Sequence, residues 1–448
     1  MSNATAACQS AGRWIVLLIV FVLSAGILGC NEGTARPQPA GPAKGELAFA
    51  PDEGGITLPE GFRAVVVADH LGRARHLTVR DNGDLYVALR RPRDGGGIVA
   101  LRDTDGDGRA DVTRRFGEVG GTGIRVRNRY LYFASVDTVY RYPLADGKLL
   151  PAGDPEVIVR GFPAQGQHAD KPIAFDPEGG LYVNVGAPSN ACQKRTRTPG
   201  SPGQDPCPEL ERHAGIWRFE ADTPDQTQTD DGVHFATGIR QSVAMRWNPL
   251  VDELYVVQHG RDQLNTLWPE HFTDKDNARL PAEELLLVQK GDNFGWPYCY
   301  YDPFQERRIL APEYGGDGQK VGRCDRFEEP IMAFPAHWAP NDLLFYTASA
   351  FPERYHGGAF IAFHGSWNRA PLPQRGYKVG FVPFDGKKPS GKYEVFADGF
   401  AGEEVIRRPA DARWRPMGLA QGPDGGLYVA DSQRGRIWRV VYEHPNEE

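Results

Sequence analysis

One short pattern recurs along the chain and limits its fold more than any other feature. It reads "NGDLYVAL" around Tyr86, "RYLYFAS" around Tyr132, "GGLYVNVG" around Tyr182, "DELYVVQHG" around Tyr255, "DLLFYTAS" around Tyr346 and "GGLYVADS" around Tyr428. Several copies follow a strand and an acidic or glycine turn, as in "IAFDPEGG" and "LAQGPDGG". Each such unit is a β-hairpin whose turn needs residues tolerant of positive φ. The tyrosines lie 46, 50, 73, 91 and 82 residues apart. The shorter spacings match one four-stranded propeller blade each, and the longer ones a blade plus an insertion. Six units therefore predict an all-β chain, a six-bladed β-propeller over residues 58–445 closing around a central channel. A β-sandwich array with coincidental Leu-Tyr pairs is the competing fold. The 53 glycines and 36 prolines suit many short strands better than long helices. Only "PAEELLLVQKG" (281–291) reads as either a short helix or a strand. Two insertions, 186–214 and 263–330, hold four cysteines, and loops pinned on one face are where a propeller builds a site.

The N-terminus has a different character. Arg13 precedes "WIVLLIVFVLSAGILG", which has the length of a signal-peptide apolar core and is short for a membrane span. Ile27-Leu28-Gly29-Cys30 resembles a bacterial lipoprotein cleavage box, in which the cysteine is acylated. Residues 1–29 are thus expected to be a signal peptide, and 30–57 an acylated Cys30 with a flexible tether. An uncleaved anchor with an incidental cysteine is the alternative. On either reading the globular part is exported, held by a lipid or anchor at a bacterial membrane and facing the periplasm or cell surface. Cys192, Cys207, Cys299 and Cys324 then lie in an oxidising compartment. Of three connectivities, Cys192–Cys207 with Cys299–Cys324 closes the short loops and is the pairing expected. No Cys-x-x-Cys-His is present for a covalent c-type haem, and the cysteine spacing disfavours zinc. A net charge of −7 without a long Lys/Arg run argues against nucleic acid as a partner.

Polar residues with chemical potential cluster at one structural position. His168 lies just before the innermost strand of the third unit, at the rim of the channel. A neutral histidine there accepts a proton near neutral pH, and Asp170 and Lys171 beside it are expected to tune its pKa. Arg240 precedes the fourth unit, and "VVQHGRDQ" follows its second strand, placing the carbonyls of Gly260 and Arg261 near the same rim. His337 and Trp338 precede the fifth unit, "AFHGSWNRAP" supplies His364, Trp367 and Asn368, and Arg413 and Arg415 precede the last. Singly, each is an ordinary surface residue. Together they form a cationic, aromatic-lined pocket suited to a planar polyanionic ligand, with Arg clamping carboxylates and Trp stacking on a face. Separately, Asp103, Asp105, Asp107 and Asp111 in "DTDGDGRAD" have the alternate spacing of a calcium loop but lack a twelfth-position Glu. The loop reads equally as a structural Ca2+ clip or as a metal-free Asx turn.

The chain resembles the six-bladed soluble quinoprotein glucose dehydrogenases and, more closely, the sorbosone dehydrogenase-like lipoproteins. The resemblance runs from "LPEGFRAVVVADHLGRARHLTV" (58–79) to "GRIWRVVY" (435–442), with "NFGWPYCY", "FHGSWNRAPLPQRGYKV" and "GPDGGLYVADSQRGRIWRV" as its most specific stretches. It implies pyrroloquinoline quinone (PQQ) held with Ca2+ in the channel, oxidation of a sugar or related alcohol or aldehyde, and an external electron acceptor such as a quinone or cytochrome. It makes His168 the catalytic base and Arg240 the cation beside the quinone oxygens. Arg413 and Arg415 match an Arg-x-Arg pair on the cofactor carboxylates, while His337, Trp338 and His364 complete the cofactor pocket. Gly260 and Arg261 match the positions whose carbonyls ligate Ca2+. The chain departs from the pattern in three places. The family's Arg-Asn-Pro is Arg240-Gln241-Ser242, the acidic residue before the histidine is Gln167, and a cofactor-binding Lys falls at His364. Two other readings are a non-catalytic ligand- or protein-binding propeller and a Ca2+-centred lactone hydrolase. The second would want several acidic and amide side chains at a rim that carries mostly Arg and His.

Overall fold

The repeated hairpins build six sheets, each the blade of a six-bladed propeller. The computed structural model describes residues 45–443; the expected signal peptide, Cys30 and its acylation lie outside the described residues. Blade 3 shows how a copy folds. Strand Ile173–Phe175 pairs with Gly180–Val185, setting Phe175 opposite Leu181 and Ile173 opposite Val183. The turn between them needs positive φ at Gly179 (98°), and Asp176 ties it by accepting from the Gly180 amide and the Tyr182 hydroxyl. Strands Gly215–Glu220 and Val233–Thr237 complete the sheet.

The recurring tyrosine has a physical reason. Its ring is buried, and in three of the copies its hydroxyl bolts one blade to the next: Tyr86 donates to the Leu149 carbonyl (2.8 Å), Tyr132 to Ala221 (3.0 Å) and Tyr255 to Lys387 (2.9 Å). The fifth copy needs a correction. "DLLF" lies on the innermost strand Pro340–Phe345, Tyr346 sits just beyond it, and the blade's second strand is Ala359–Phe363. Tyr346 still makes the bolt, donating to Gly425 in blade 6 (2.9 Å), so the hydroxyl's job is kept while the strand changes. Residues 283–288 form a strand, resolving the helix-or-strand ambiguity.

The ring closes through the N-terminal strand. Phe62–Ala68 pairs antiparallel with Ile437–Tyr442 and becomes the outer strand of blade 6. Residues 45–57, which the sequence assigns to the tether, lie against the propeller: the Ala48 amide bonds Asp107 (2.7 Å), Thr57 pairs with Asp398, and Ile56 is buried. Apolar layers between blades form the core. Between blades 5 and 6 it is aromatic, with Phe62 meeting Phe351, Phe396 and Tyr355 edge-on. The channel itself is filled by polar side chains. Asp342 accepts from Arg125 (3.2 Å), and His76 donates to the Asn341 carbonyl (2.8 Å), with His76 and Asp342 fully buried. What binds here must therefore bind at a mouth.

Both disulfides form as expected, Cys192–Cys207 (Cα–Cα 6.2 Å) and Cys299–Cys324 (5.9 Å). The first pins the connection between strands Gly180–Val185 and Gly215–Glu220 of blade 3. The second pins the excursion after Glu283–Val288, which climbs beside blade 3, where Phe294 donates to Thr237 (3.0 Å). Both insertions meet at the mouth where His168 stands. No helix among the described residues is long and apolar enough to cross a membrane.

Candidate active site

His168 is held in a backbone conformation that a side chain normally avoids, with φ of 53°. It is not alone: of the fifteen positive-φ non-glycine residues among the described residues, seven, His168, Cys192, Arg197, Gln263, His337, Ala339 and Tyr377, lie on connections at this mouth. Such strain persists where surrounding structure enforces it, and it gathers at functional sites. The enforcement is visible at Gly186, where an added Cβ would lie 1.9 Å from Gln241 Oε1 and 2.7 Å from the His168 Cβ. The His168 loop and the chain after strand Gly180–Val185 approach too closely for any side chain at 186.

The imidazole's tautomer follows from its partner. Nδ1 lies 2.6 Å from the Ala187 carbonyl, which only accepts, so Nδ1 carries the proton and Nε2 keeps a free lone pair. Burial first, and Arg240 second, lower the His168 pKa to about 3, so the ring is neutral at physiological pH. The expected tuning by Asp170 and Lys171 does not occur. Asp170 turns to Arg75 (2.7 Å) and Thr122 (2.7 Å), and the Lys171 ammonium is buried and donates to the Ala169 carbonyl.

Arg240 is the centre of the site. Its buried guanidinium donates to Asn190 O (3.1 Å) and Oδ1 (2.9 Å), to Asp262 Oδ2 (2.9 Å) and to the Gly260 carbonyl (3.0 Å). Asn190 also receives the Asp262 amide (2.9 Å), so the disulfide-pinned loop of blade 3 is knitted to the blade 4 loop through one arginine. Burial pushes the Asp262 carboxyl up, but Arg240, His337 and Arg197 outweigh it and hold the group at about 2. Arg197 donates to the same Asp262 oxygen (3.1 Å) and to Gln167 Oε1 (3.0 Å), so the residue preceding His168 is tied into the network. His259 donates to the Pro340 carbonyl (2.8 Å) and is held at about 4 by burial. Beneath it, burial raises the Glu283 carboxyl to about 8 although it accepts the Gly260 (2.8 Å) and Ala339 (3.0 Å) amides.

The other predicted residues divide. Arg415 donates to the His364 (3.0 Å) and Gly365 (2.7 Å) carbonyls, and His364 Nε2 meets Ser432 Oγ at 2.6 Å. Burial, then Arg415, Arg75, His259 and Arg90, all press the His364 pKa well below its usual value. His337 is buried and donates to the Asn277 carbonyl (2.7 Å), anchoring the insertion. Two residues stand apart. The Trp338 indole packs into the core against Phe363 (5.3 Å between centroids) and Tyr393 instead of over the opening, and Arg413 is exposed with its guanidinium 4.0 Å from the Trp414 ring. Alternation explains Trp338: the residue after a positive-φ His337 is turned to the opposite side of the strand's entrance.

The sequence reading missed Asp262, Arg197, Asn190, His259 and Glu283. His259 alone carried a signal, since it directly follows a repeat strand in "VVQHG".

The opening has the charge a polyanion needs. Arg240 and Arg197 meet Asp262, Arg75 meets Asp170 and Arg415 meets the His364 carbonyl on the connections that enter this mouth, in a chain of net charge −7. This donor set fits a planar tricarboxylate. Calcium is a different matter. The Gly260 carbonyl already accepts from Arg240, Asp262 from two arginines, and Glu283 from two amides, so a dication there faces a guanidinium and no uncommitted carboxylate. The Gly260 carbonyl, expected with that of Arg261 to ligate Ca2+, thus already holds the Arg240 guanidinium. At the acidic loop, Asp103, Asp105 and Asp111 place carboxylate oxygens within 4.8 Å of one another, with Asp107 outside the group. Each already serves a neighbouring amide: Asp103 takes those of Gly106 (2.7 Å) and Gly108 (2.8 Å), Asp105 that of Asp107 (3.1 Å) and Asp111 that of Thr104 (2.7 Å). These bonds hold the loop's turns through its carboxylates.

Comparison with known proteins gives a consistent picture. The profile of the family described as TrAA12-like matches residues 56–443. An uncharacterized protein of Borreliella burgdorferi is 29% identical over 211 residues, covering 46% of this chain and 48% of its own length. A pyrroloquinoline quinone-dependent pyranose dehydrogenase of Coprinopsis cinerea is 26% identical over 188 residues, 36% of this chain and 25% of that protein. The chain thus spans about half or less of these curated relatives. Among solved structures, the holo form of the Coprinopsis cinerea pyranose dehydrogenase PQQ domain superposes with a TM-score of 0.69 at 18% identity, covering 90% of this chain and 99% of that one. The calcium structure of the Trichoderma reesei carbohydrate-active enzyme of family AA12 gives 0.70 at 17% identity, covering 89% and 99%.

Proposed function

Because this chain belongs to the TrAA12-like family, we propose that it is a quinoprotein that oxidises a sugar, or a related alcohol or aldehyde, at the mouth bearing His168. The relatives named for PQQ-dependent sugar oxidation support the class of reaction. The observation that carries it is a neutral His168 with a free Nε2 beside the Arg240–Asp262 pair, on the same mouth as the Arg415 that clasps the His364 loop.

PQQ, when bound, supplies the quinone that takes up a hydride and its electron pair. Everything else falls to the protein. His168 Nε2 receives the proton of the substrate hydroxyl as the carbon loses hydride, while Ala187 keeps Nδ1–H fixed and the ring oriented. A histidine whose conjugate acid is held down by burial and Arg240 is ready as a base at every physiological pH. Arg240 cannot swing, since four bonds fix its fork, so it offers preorganised positive charge. Arg415 and Arg75 supply the cations for cofactor carboxylates. His364, neutral in place of a lysine, contributes a ring instead of a charge.

The reading extends to export, acylation at Cys30 and transfer of electrons to an external quinone or cytochrome. Absorbance titration of the purified chain with PQQ, followed by dye-linked oxidation of aldoses and sorbosone, tests the core of it. Saturable binding with turnover that disappears in His168→Ala is expected. A chain that binds no PQQ would sink the proposal.

A further inference from the structure

The contacts around Arg240 continue outward in a single file. Arg240 meets Asp262 (2.9 Å), Asp262 meets Arg197 (3.1 Å), and the Arg197 guanidinium lies 5.8 Å from the centre of the Trp367 ring. The file starts at a buried side chain and ends at a tryptophan that is 52% exposed. We propose that Trp367, with Arg197 and Gln167 at its edge, is a platform for the pyranose ring of the substrate, and that it sets specificity for cyclic sugars over open-chain alcohols and aldehydes. The inference rests on the quinoprotein reading for its kinetics but not for its binding.

An isolated exposed aromatic residue is ordinary. This one is held out by design of its loop. Its neighbours are buried, Ser366 at 1% and Asn368 at 8% exposure, while the ring between them faces solvent. Ser366 bonds Gln374 (2.8 Å) and receives the Tyr377 hydroxyl at its carbonyl (2.9 Å). Asn277 donates to the Asn368 carbonyl (2.8 Å), and Arg369 reaches the Ala278 carbonyl, so the loop is fastened to the blade 4 insertion. Fixing both flanks leaves the indole no apolar surface to fold onto, which makes its exposure a built property.

The surroundings specify the ligand's chemistry. A pyranose has an apolar face of C–H groups and an edge of hydroxyls, so it needs a flat aromatic surface bordered by groups that donate and accept in a plane. Here the border is the Arg197 fork, locked to Gln167 Oε1 (3.0 Å), Asp262 Oδ2 (3.1 Å) and Gln263. Gln167 immediately precedes His168, so the platform's border is tied to the loop of the proposed base. The cofactor itself does not account for Trp367. A group clasped by Arg240 is separated from this ring by Asp262 and Arg197. An open-chain substrate has no face to lay on the indole and gains little from it.

Two variants test this, Trp367→Ala and Trp367→Phe, the second keeping a smaller ring. The half-exposed position predicts that both fold with unchanged melting temperature. With PQQ loaded, Trp367→Ala is expected to raise KM for glucose and cellobiose by about tenfold while kcat stays within about threefold, and to leave KM for glyceraldehyde unmoved. Trp367→Phe should recover most of the loss, and PQQ affinity should match that of the native chain in both. Equal loss for glyceraldehyde, lost PQQ affinity, or unchanged pyranose KM would overturn the platform. Saturation-transfer NMR with cellobiose on the cofactor-free chain separates this from the quinoprotein reading. Transfer to cellobiose that vanishes in Trp367→Ala supports the platform even if no PQQ binds. Transfer absent from the native chain, or the same in both, refutes it.

Discussion

His168 and Arg240 were legible in the sequence because the repeat fixes where each blade begins, and a residue just before an innermost strand must stand at the rim. Their partners were not legible. Asn190 and Arg197 sit in an insertion that the repeat does not index, and Asp262 just beyond the fourth copy; Asp262 and Asn190 meet Arg240 across 22 and 50 residues of chain, and Arg197 joins through Asp262 across 65. Trp338 failed for the converse reason: its position in the repeat was right, and one positive-φ residue before it reversed the direction of its side chain. The protonation of His168 is the sharpest residue-scale test. NMR titration of the cofactor-free chain should show its Cε1–H signal unmoved between pH 8 and pH 5, because burial and Arg240 hold the group at about 3. A midpoint near pH 6.5 would mean that the ring is solvated and unfit for the role given to it. Replacing it with alanine should lower kcat by roughly 100- to 10,000-fold, the range of a lost general base, with PQQ affinity kept. Gly186→Ala should mimic part of this without touching chemistry. The new Cβ meets both Gln241 Oε1 and the His168 Cβ, so kcat falls while the ring itself is intact.

Hairpins were the easiest elements to read, since period-two apolar strands with Asp-Gly turns leave few other choices. The fifth copy shows the limit. Its Leu-Leu-Phe-Tyr segment satisfies the pattern from the innermost strand, and only the blade-to-blade hydroxyl bond to Gly425 reveals that the tyrosine was selected for the bolt and not for its strand. The insertions, by contrast, take their shape from tertiary contacts, and the cysteines were their one local signal. Their energetic role can be measured. Cys192 and Cys207 close a 15-residue separation, worth about 3 kcal/mol on the loop-entropy model. The Cys192→Ser/Cys207→Ser double variant should lose about that much stability. It should also lose PQQ affinity, because Asn190, two residues from the bridge, makes two of the four bonds that hold Arg240. Intact affinity in a destabilised double variant would show that Asp262 and the Gly260 carbonyl suffice to position Arg240.

At the scale of the whole molecule the channel interior sets how the fold answers to acid. His76 is fully buried in the ring's centre, faces Asp342, Arg125 and Arg75, and donates to the Asn341 carbonyl. Burial, opposed only in part by Asp342, lowers its pKa to about 4, and His168, His259 and His364 are depressed with it. A histidine depressed in the fold takes up its proton first in the unfolded chain. Its contribution is therefore whole above pH 6.5 and drains away as pH falls toward the folded value, by about 1.4 kcal/mol per pH unit per group. Glu283 works in the opposite sense: raised to about 8, it favours the fold as pH falls from 8 to about 4.5. His213, His234 and His337 are depressed as well, against the raised carboxyls of Glu283, Glu209, Asp292, Glu329 and Asp431, so stability measured by urea unfolding should fall steeply between pH 6.5 and pH 4. The ring closure makes the loss cooperative, because strand Phe62–Ala68 seals blade 6 from the far end of the chain and no blade can open without its neighbours. His76→Gln removes one titrating group remote from the proposed chemistry while keeping a donor for the Asn341 carbonyl. Its stability-against-pH slope between 6.5 and 4 should be shallower than the native slope by about one histidine's share, although its stability at pH 7 is lower. An unchanged slope would mean that acid sensitivity resides in the mouth and not in the channel.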